Sequence, residues 1–320
     1  MSQPLMVRPE LLALDLSGKV FIVTGANSGL GLATTQQLAK QGATVVMGCR
    51  RTAEGERIAD ALRAEFPRAT LEVLPLDLGD LGSVRGFAKA FLQRHERLHG
   101  LVNNAGVMNT PAGHTKDGFD TQFGTNYLGH FLLTELLVDV LKASSPSRIV
   151  ILSSFFHIEA MGRKGAIHFE DPNYHQRKYD GWEAYAQSKL ANLLHARTLA
   201  QRLRGSGVTV ASVNPGWVRT NLMKMPVPKW LENAIVLPLM RMAGMIEPWE
   251  GVQTTLHALL APEVAGQSGE YFSQKSRYKA KEARPGGWPL RSPSPLAHDD
   301  AMAERLWKLS EELVKRASTG

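Results

Sequence analysis

The chain has 320 residues and ordinary globular composition, 43% hydrophobic and 21% charged, with ample length for a large core in one α/β domain or two smaller ones. A single cysteine, Cys49, excludes an internal disulfide framework and a Cys-rich metal site, and it suits a reducing, cytoplasmic setting. The net charge of +7 raises nucleic-acid binding, but the 37 basic residues are dispersed with no basic helix, so a basic soluble surface or a polyanionic small molecule fits better. Met1-Ser2-Gln3-Pro4 lacks the basic and apolar regions of a secretion signal. No apolar run approaches the roughly 20 residues of a membrane span.

Lys19-Val20-Phe21-Ile22-Val23-Thr24 reads as a buried strand, followed by Gly25-Ala26-Asn27-Ser28-Gly29-Leu30-Gly31 and a helix from Leu32 to about Lys40. Strand, glycine turn and helix in that order form a phosphate cradle. The glycines admit a pyrophosphate to the backbone, at the positive helix N-terminus. A second strand, Thr44–Gly48, ends at Cys49-Arg50-Arg51. In a dinucleotide fold an acid here reads the 2′-hydroxyl of NAD, whereas arginine takes the 2′-phosphate of NADP. Two arginines and no acid favour NADP(H). After a helix over about 54–65, a third strand, Leu71–Leu76, ends at Asp77-Leu78, where a side chain and backbone could hold an adenine edge.

Asp80 caps a helix to about His95. His95-Glu96-Arg97-Leu98-His99 matches a zinc-protease pattern, but it sits at a fraying helix end before Gly100 and lacks a third ligand, so no metal is expected. Leu101-Val102 opens a fourth strand, and Asn103-Asn104-Ala105-Gly106-Val107 at its end would let a cofactor lie close. One long helix is expected over 118–141, with Asn126 the polar exception in an apolar run: a core amide bonded to backbone, or a link in a proton path.

The fifth strand, Arg148–Leu152, ends in Ser153-Ser154, where open α/β sheets place their ligands. The polar and aromatic stretch to Tyr185 reads as an excursion over the pocket, with His157 and His168 as solvated loop histidines. Tyr185 and Lys189, four apart on one helix face, set an ammonium beside a phenol. Moving a phenol from about 10 to about 7, where proton transfer is efficient, needs roughly 4 kcal/mol of preference for phenolate. One cation supplies part of that and a positively charged cofactor ring more. Taken alone, such a pair is ordinary helix surface.

A sixth strand, Val208–Val213, leads to Asn214-Pro215-Gly216-Trp217-Val218-Arg219-Thr220 at the same sheet edge. The Met- and Pro-rich stretch 222–249 reads first as a lid over a bulky apolar substrate, with an interfacial membrane helix and plain core packing as competitors. A helix over 250–260 and a short strand, Gly269–Phe272, complete the sheet. Residues 281–299 read as an exposed loop before an amphipathic helix over 300–314. Alternating strands and helices predict one domain: α/β, a single Rossmann-type doubly wound parallel sheet flanked by helices.

Thr24-Gly25-Ala26-Asn27-Ser28-Gly29-Leu30-Gly31, Asn103-Asn104-Ala105-Gly106, Asn126, Ser154, Tyr185-x-x-x-Lys189 and Pro215-Gly216 stand in the order of the short-chain dehydrogenase/reductase family, which the chain resembles over about 17–275. Phe123–Phe131, Ser188–Asn192 and Glu304–Trp307 look most like its retinol dehydrogenase and WW-domain oxidoreductase branch. The resemblance implies a catalytic set of Tyr185 as acid/base, Ser154 (or Ser153) on the substrate oxygen, Lys189 on the tyrosine and the nicotinamide ribose, and Asn126 positioning a relay water. It implies Gly25, Ser28, Gly29, Leu30 and Gly31 at the pyrophosphate, Arg50 and Arg51 at the 2′-phosphate, and Asp77 and Leu78 at adenine. Asn104, Ala105, Gly106, Pro215, Gly216, Val218 and Thr220 would line the rest. The expected activity is NADP(H)-dependent interconversion of a carbonyl and an alcohol on a bulky apolar or aromatic compound. Light-dependent protochlorophyllide reductase chemistry is an alternative, although Ala191 stands where that family carries cysteine. A non-catalytic NADP-sensing scaffold is another. Peripheral membrane contact, and monomer or homodimer, stay open.

Overall fold

In the computed structural model of the chain, residues 3–219, 236–276, 278 and 281–317 are described. Seven short apolar runs are the strands β1 (Val20–Thr24), β2 (Thr44–Cys49), β3 (Thr70–Pro75), β4 (Gly100–Asn103), β5 (Ser147–Leu152), β6 (Val208–Asn214) and β7 (Tyr271–Ser273). They pair in the order β3-β2-β1-β4-β5-β6-β7, and every pairing is parallel. Side chains alternate across a strand, so each apolar run feeds two cores. Ile22, Val46, Leu101 and Ile149 face one core with α3 (Leu81–Leu92), α4 (Gly129–Ala143), α5 (Gly181–Arg202) and α7 (Asp300–Arg316). Val23, Val45, Val102 and Val150 face the other, with α1 (Gly29–Lys40), α2 (Thr52–Glu65) and α6 (Pro248–Leu260). This is the Rossmann-type doubly wound sheet. Its strand order reverses between β1 and β4, which opens a crevice at their carboxyl ends.

Four local expectations change. The helix expected over 118–141 is a short turn, Thr121–Phe123, then a π-helical turn, Gly124–Leu128, and only then α4. The wide turn falls on Asn126, and such insertions mark functional segments. The histidine pattern lies beyond α3, which ends at Leu92, and His99 Nδ1 accepts the Val20 amide at 3.0 Å. No group of three metal-ligating side chains exists among the described residues. His157 is fully buried rather than solvated: Nδ1 meets the Ser154 carbonyl at 2.7 Å and Nε2 meets Ser292 Oγ at 2.6 Å. For the same reason residues 281–299 are not a free loop. Ala283, Ser292, Ser294 and Ala297 are buried, and Leu290 donates to Tyr271 on β7. The stretch 222–249 lies outside the described residues as far as 235. Beyond it, a short helix, Leu237–Met242, exposes Leu239 and Met242. No helix among the described residues is long and apolar enough to cross a membrane.

Three histidines are enclosed in the core. His195 sits among the rings of Phe131, Trp307 and Tyr127 at 5.2, 5.7 and 5.9 Å, and neither of its nitrogens has a partner among the described residues. Burial pushes His130 and His157 down to about 4 and His195 to about 3. In the unfolded chain each titrates near about 6.5, so the unfolded state binds more protons below that pH and stability falls as pH drops through about 6 towards 4. Urea unfolding should therefore show an uptake from these residues that grows from under about one proton at pH 7 to about three near pH 5, roughly 1.4 kcal/mol per proton per pH unit. His195→Leu should reduce the uptake by about one proton, and an unchanged slope would contradict the burial argument.

Candidate active site

Six strand ends and two helices converge on the crevice. At its base β1 gives way to Gly25 with φ +65°, and α1 opens at Gly29 with φ +54°. Ser28 precedes α1 without a side-chain cap among the described residues, so no capping side chain occupies the first helical amides, the kind of helix end that can receive an anion. A Cβ on Gly31 would overlap the Gly25 carbonyl and press on the Asn104 amide, so only glycine lets this helix sit so close. Gly25, Asn27, Ser28, Gly29 and Leu30 form one wall of a cavity of about 310 Å³.

The end of β2 forms the next wall with Arg50 and Arg51, and the end of β3 adds Asp77 and Leu78. The two arginines are not equivalent. Arg51 is paired at 2.7 Å with Glu54, which also accepts from Asn27 Nδ2 at 3.3 Å. Arg50 is exposed and has no ion pair among the described residues. Glu54 is the acid that the sequence reading missed. Its i,i+3 spacing from Arg51 in the first turn of α2 was the available signal.

Asn104, Ala105, Gly106 and Val107 make the floor, and it is gripped at both ends. Thr24 Oγ1 accepts the amides of Asn104 and Ala105, both at 2.9 Å, while the Thr24 carbonyl accepts Asn104 Nδ2 at 2.7 Å. Asn126 Oδ1 accepts the Val107 amide at 2.7 Å, and its Nδ2 donates to the Val107 carbonyl at 2.9 Å and to Ser188 Oγ at 3.0 Å. Both amide protons of Asn126 therefore go to protein partners, one to backbone and one to a side chain.

The reactive groups meet where β5 ends against α5. Asp180 caps α5, accepting the Trp182 and Glu183 amides, and the helix then carries Tyr185 and Lys189 on one face. Lys189 Nζ donates to the Leu152 carbonyl at 3.0 Å and lies 5.5 Å from the centre of the Tyr185 ring. Burial pulls Lys189 down to about 8 and pushes Tyr185 up to about 12, against a hydrogen bond from Ser154 that favours the phenolate. Desolvation outweighs that bond, so the phenol is held protonated. The neighbouring Ser153 hydroxyl instead donates to the Lys189 carbonyl at 2.7 Å. Beside Tyr185, Phe156 stands edge-on at 5.9 Å from its ring and 5.7 Å from that of Trp182.

Of the other expected residues, Pro215 is on the cavity wall and Gly216 just behind it, where φ +88° turns the chain against Gln274. Val218 is buried beside Gly251 rather than facing the cavity, and Thr220 lies outside the described residues.

Residues 19–230 match the sequence profile of the short chain dehydrogenase family. Over 310 residues the chain is 43% identical to retinol dehydrogenase 14 of Mus musculus, covering 93% of this chain and 86% of that protein. Retinol dehydrogenase 12 of Homo sapiens is 42% identical, with 94% and 88% covered. The chain belongs to the short chain dehydrogenase family. Within that family it is most like the retinol dehydrogenase branch. An uncharacterised protein from Mycobacterium paratuberculosis shares the fold, with a TM-score of 0.72, 34% identity and 95% and 96% of the two chains covered.

The short-chain dehydrogenase cleft was only partly visible from sequence. Gly48, Leu76, Thr125 and Leu152 also line it, set by strand register and by the π turn rather than by motif. The depressed lysine has a measurable consequence. A buried amine whose pKa sits near 8 rather than 10.5 penalises the native state at lower pH, and the penalty fades as pH rises from about 8 to 10.5. Lys189→Met should therefore stabilise the protein at pH 7 by roughly 1–3 kcal/mol, and by less at pH 10. A variant less stable than the parent at pH 7 would show that the bond to Leu152 outweighs burial.

Proposed function

We propose that the protein is an NADP(H)-dependent oxidoreductase that interconverts a carbonyl and an alcohol on a bulky apolar or aromatic substrate. The observation that carries this reading is the Ser154–Tyr185 hydroxyl pair beside buried Lys189, at the end of a glycine-walled cleft. The cradle at Gly25–Gly31 fits a pyrophosphate, since its backbone is open where a Cβ would fill it. Arg50 fits a 2′-phosphate, having no carboxylate of its own to neutralise it among the described residues, and Asp77 and Leu78 would border adenine. When bound, the cofactor supplies or accepts the hydride.

The protein's own groups handle the proton. In reduction, the Tyr185 phenol donates to the substrate oxygen while Ser154 hydrogen-bonds that oxygen; in oxidation the phenolate takes the proton back. Lys189 favours the phenolate that forms during the reaction, and a cation bound in the cleft adds to this effect. Asn126 holds the floor against which the nicotinamide would rest. The half-buried rings of Phe156 and Trp182 beside Tyr185 provide apolar, aromatic surface for the rest of the substrate. The name of the similar proteins, retinol dehydrogenases, points to the same alcohol–carbonyl chemistry.

NADPH oxidation by the purified chain against a panel of aldehydes and ketones tests the activity, and no turnover with any of them would count against it. Tyr185→Phe should lower kcat by about 10²–10⁴ while leaving NADPH affinity within a factor of about two. A scaffold without chemistry would show no such split. Arg50→Ala should weaken NADPH by roughly 10- to 100-fold and leave NADH unchanged, because a charge-assisted contact to phosphate contributes about 1.5–3 kcal/mol. Equal losses for both nucleotides would remove the 2′-phosphate assignment.

A further inference from the structure

His130 lies on the first turn of α4, 1% exposed, and no part of the proposed chemistry uses it. Its ring touches both grips of the cleft floor. Nε2 is 2.9 Å from Thr24 Oγ1, and Nδ1 is 3.0 Å from the Asn126 carbonyl oxygen. The proton positions follow from hydrogen-bond capacity. Thr24 Oγ1 already accepts two amides, which occupy its lone pairs, so its own proton must be donated. The Val102 carbonyl stands at 3.4 Å and His130 Nε2 at 2.9 Å, so the imidazole is the better acceptor. Nε2 then carries no hydrogen, and the Nδ1 hydrogen goes to the Asn126 carbonyl. An imidazolium, or the other neutral tautomer, would aim a second hydrogen at an oxygen with no capacity left. Burial and the nearby Lys189 ammonium also disfavour a charged ring.

We propose that His130 is a positioning residue: a permanently neutral brace that accepts the Thr24 hydroxyl proton at Nε2 and donates from Nδ1 to the Asn126 carbonyl, so that one ring sets both ends of the Asn104–Val107 floor. The π turn makes this possible by delivering the Asn126 carbonyl to a side chain of the following turn. A second anchor holds the ring's own backbone: its carbonyl accepts from Thr134 Oγ1 at 2.8 Å, and Thr134 accepts from Asn103 Nδ2 on β4 at 2.9 Å. The floor is thus tied to α4 at Thr24, Asn103 and Asn126. Its consequence for binding rests on the reading of the cleft as a dinucleotide site; the proton placement does not.

Two measurements test this. Long-range ¹H–¹⁵N spectra of the labelled full chain should show His130 as the neutral Nδ1–H tautomer at pH 7, assigned by its loss in His130→Phe. The Nε2–H form or an imidazolium would overturn the brace, even if no nucleotide binds. NADPH titration followed by its fluorescence is the second measurement. His130→Phe should weaken binding about tenfold and Thr24→Val, which also releases the Asn104 and Ala105 amides, by at least as much, and the double variant by much less than the product of the two, because the His130–Thr24 bond is lost in either. His130→Gln, which keeps a donor and an acceptor, should recover most of the affinity. A multiplicative double variant, or a folded His130→Phe with unaltered NADPH affinity, would make His130 an ordinary core residue. Should His130→Phe fail to fold, the tautomer can be assigned in His130→Gln.

Discussion

The hydrogen bonds of Thr24 are the constraint on which the site depends. A parallel sheet whose strand order reverses between β1 and β4 has a gap at its carboxyl edge, because the two connections leave on opposite faces. Something must fix the separation of the two strand ends, or the crevice has no defined floor. Thr24 does this with one short side chain and one carbonyl, holding Asn104 and Ala105. The glycine cradle fits onto the same point, since Gly31 packs against Gly25 and the Asn104 amide. Cradle and floor are therefore one packing unit. An error at Thr24 would displace both.

The chemistry placed on that frame is expensive for the fold. Lys189, Tyr185 and three histidines are enclosed where their charged forms are disfavoured, and each is tolerated through a different arrangement. Lys189 has the Leu152 carbonyl, which also accepts from Asn192. His130 and His157 are paired through both nitrogens. His195 instead relies on surrounding rings. A protein that only needed a stable core would fill these places with leucine. Their polar occupants concentrate around α4 and α5, the two helices that carry Asn126's neighbours and the Tyr185–Lys189 pair.

The parts of the molecule legible in the sequence are those governed by local rules. Buried strands such as Val20–Thr24 and Ser147–Leu152 announce themselves as short apolar runs, and the cradle as glycines between a strand and a helix. The doubly wound sheet follows from their alternation with helices. Long-range pairing was not legible. His157 reads as a solvated loop residue until Ser292, 135 positions away, closes on it, and residues 281–299 read as free for the same reason. The π turn at Asn126 leaves the apolar periodicity almost intact, so a plain helix was the natural expectation. Both arginines after β2 read as phosphate ligands because Glu54 belongs to the next element, where side-chain direction decides that it turns back to Arg51.

The C-terminal segment braces the chain just after Ser154 from two sides. Tyr278 stacks on Phe155 at 4.1 Å and is held by Asn214 Nδ2 at 2.7 Å, so the residue after Ser154 is fixed from the β6 side. Ser292 fixes His157 three residues after Ser154, and through it the Ser154 carbonyl. On the far side of α5, α7 supplies Trp307 against Phe131 and His195, and Ser310 bonds Tyr127 at 2.6 Å. Between these braces Phe156 alone of the three residues after Ser154 leans on Tyr185 and Trp182 without a polar side-chain anchor. The backbone around Ser154 is thus held by groups remote in sequence, while Phe156 beside Tyr185 rests on aromatic contacts.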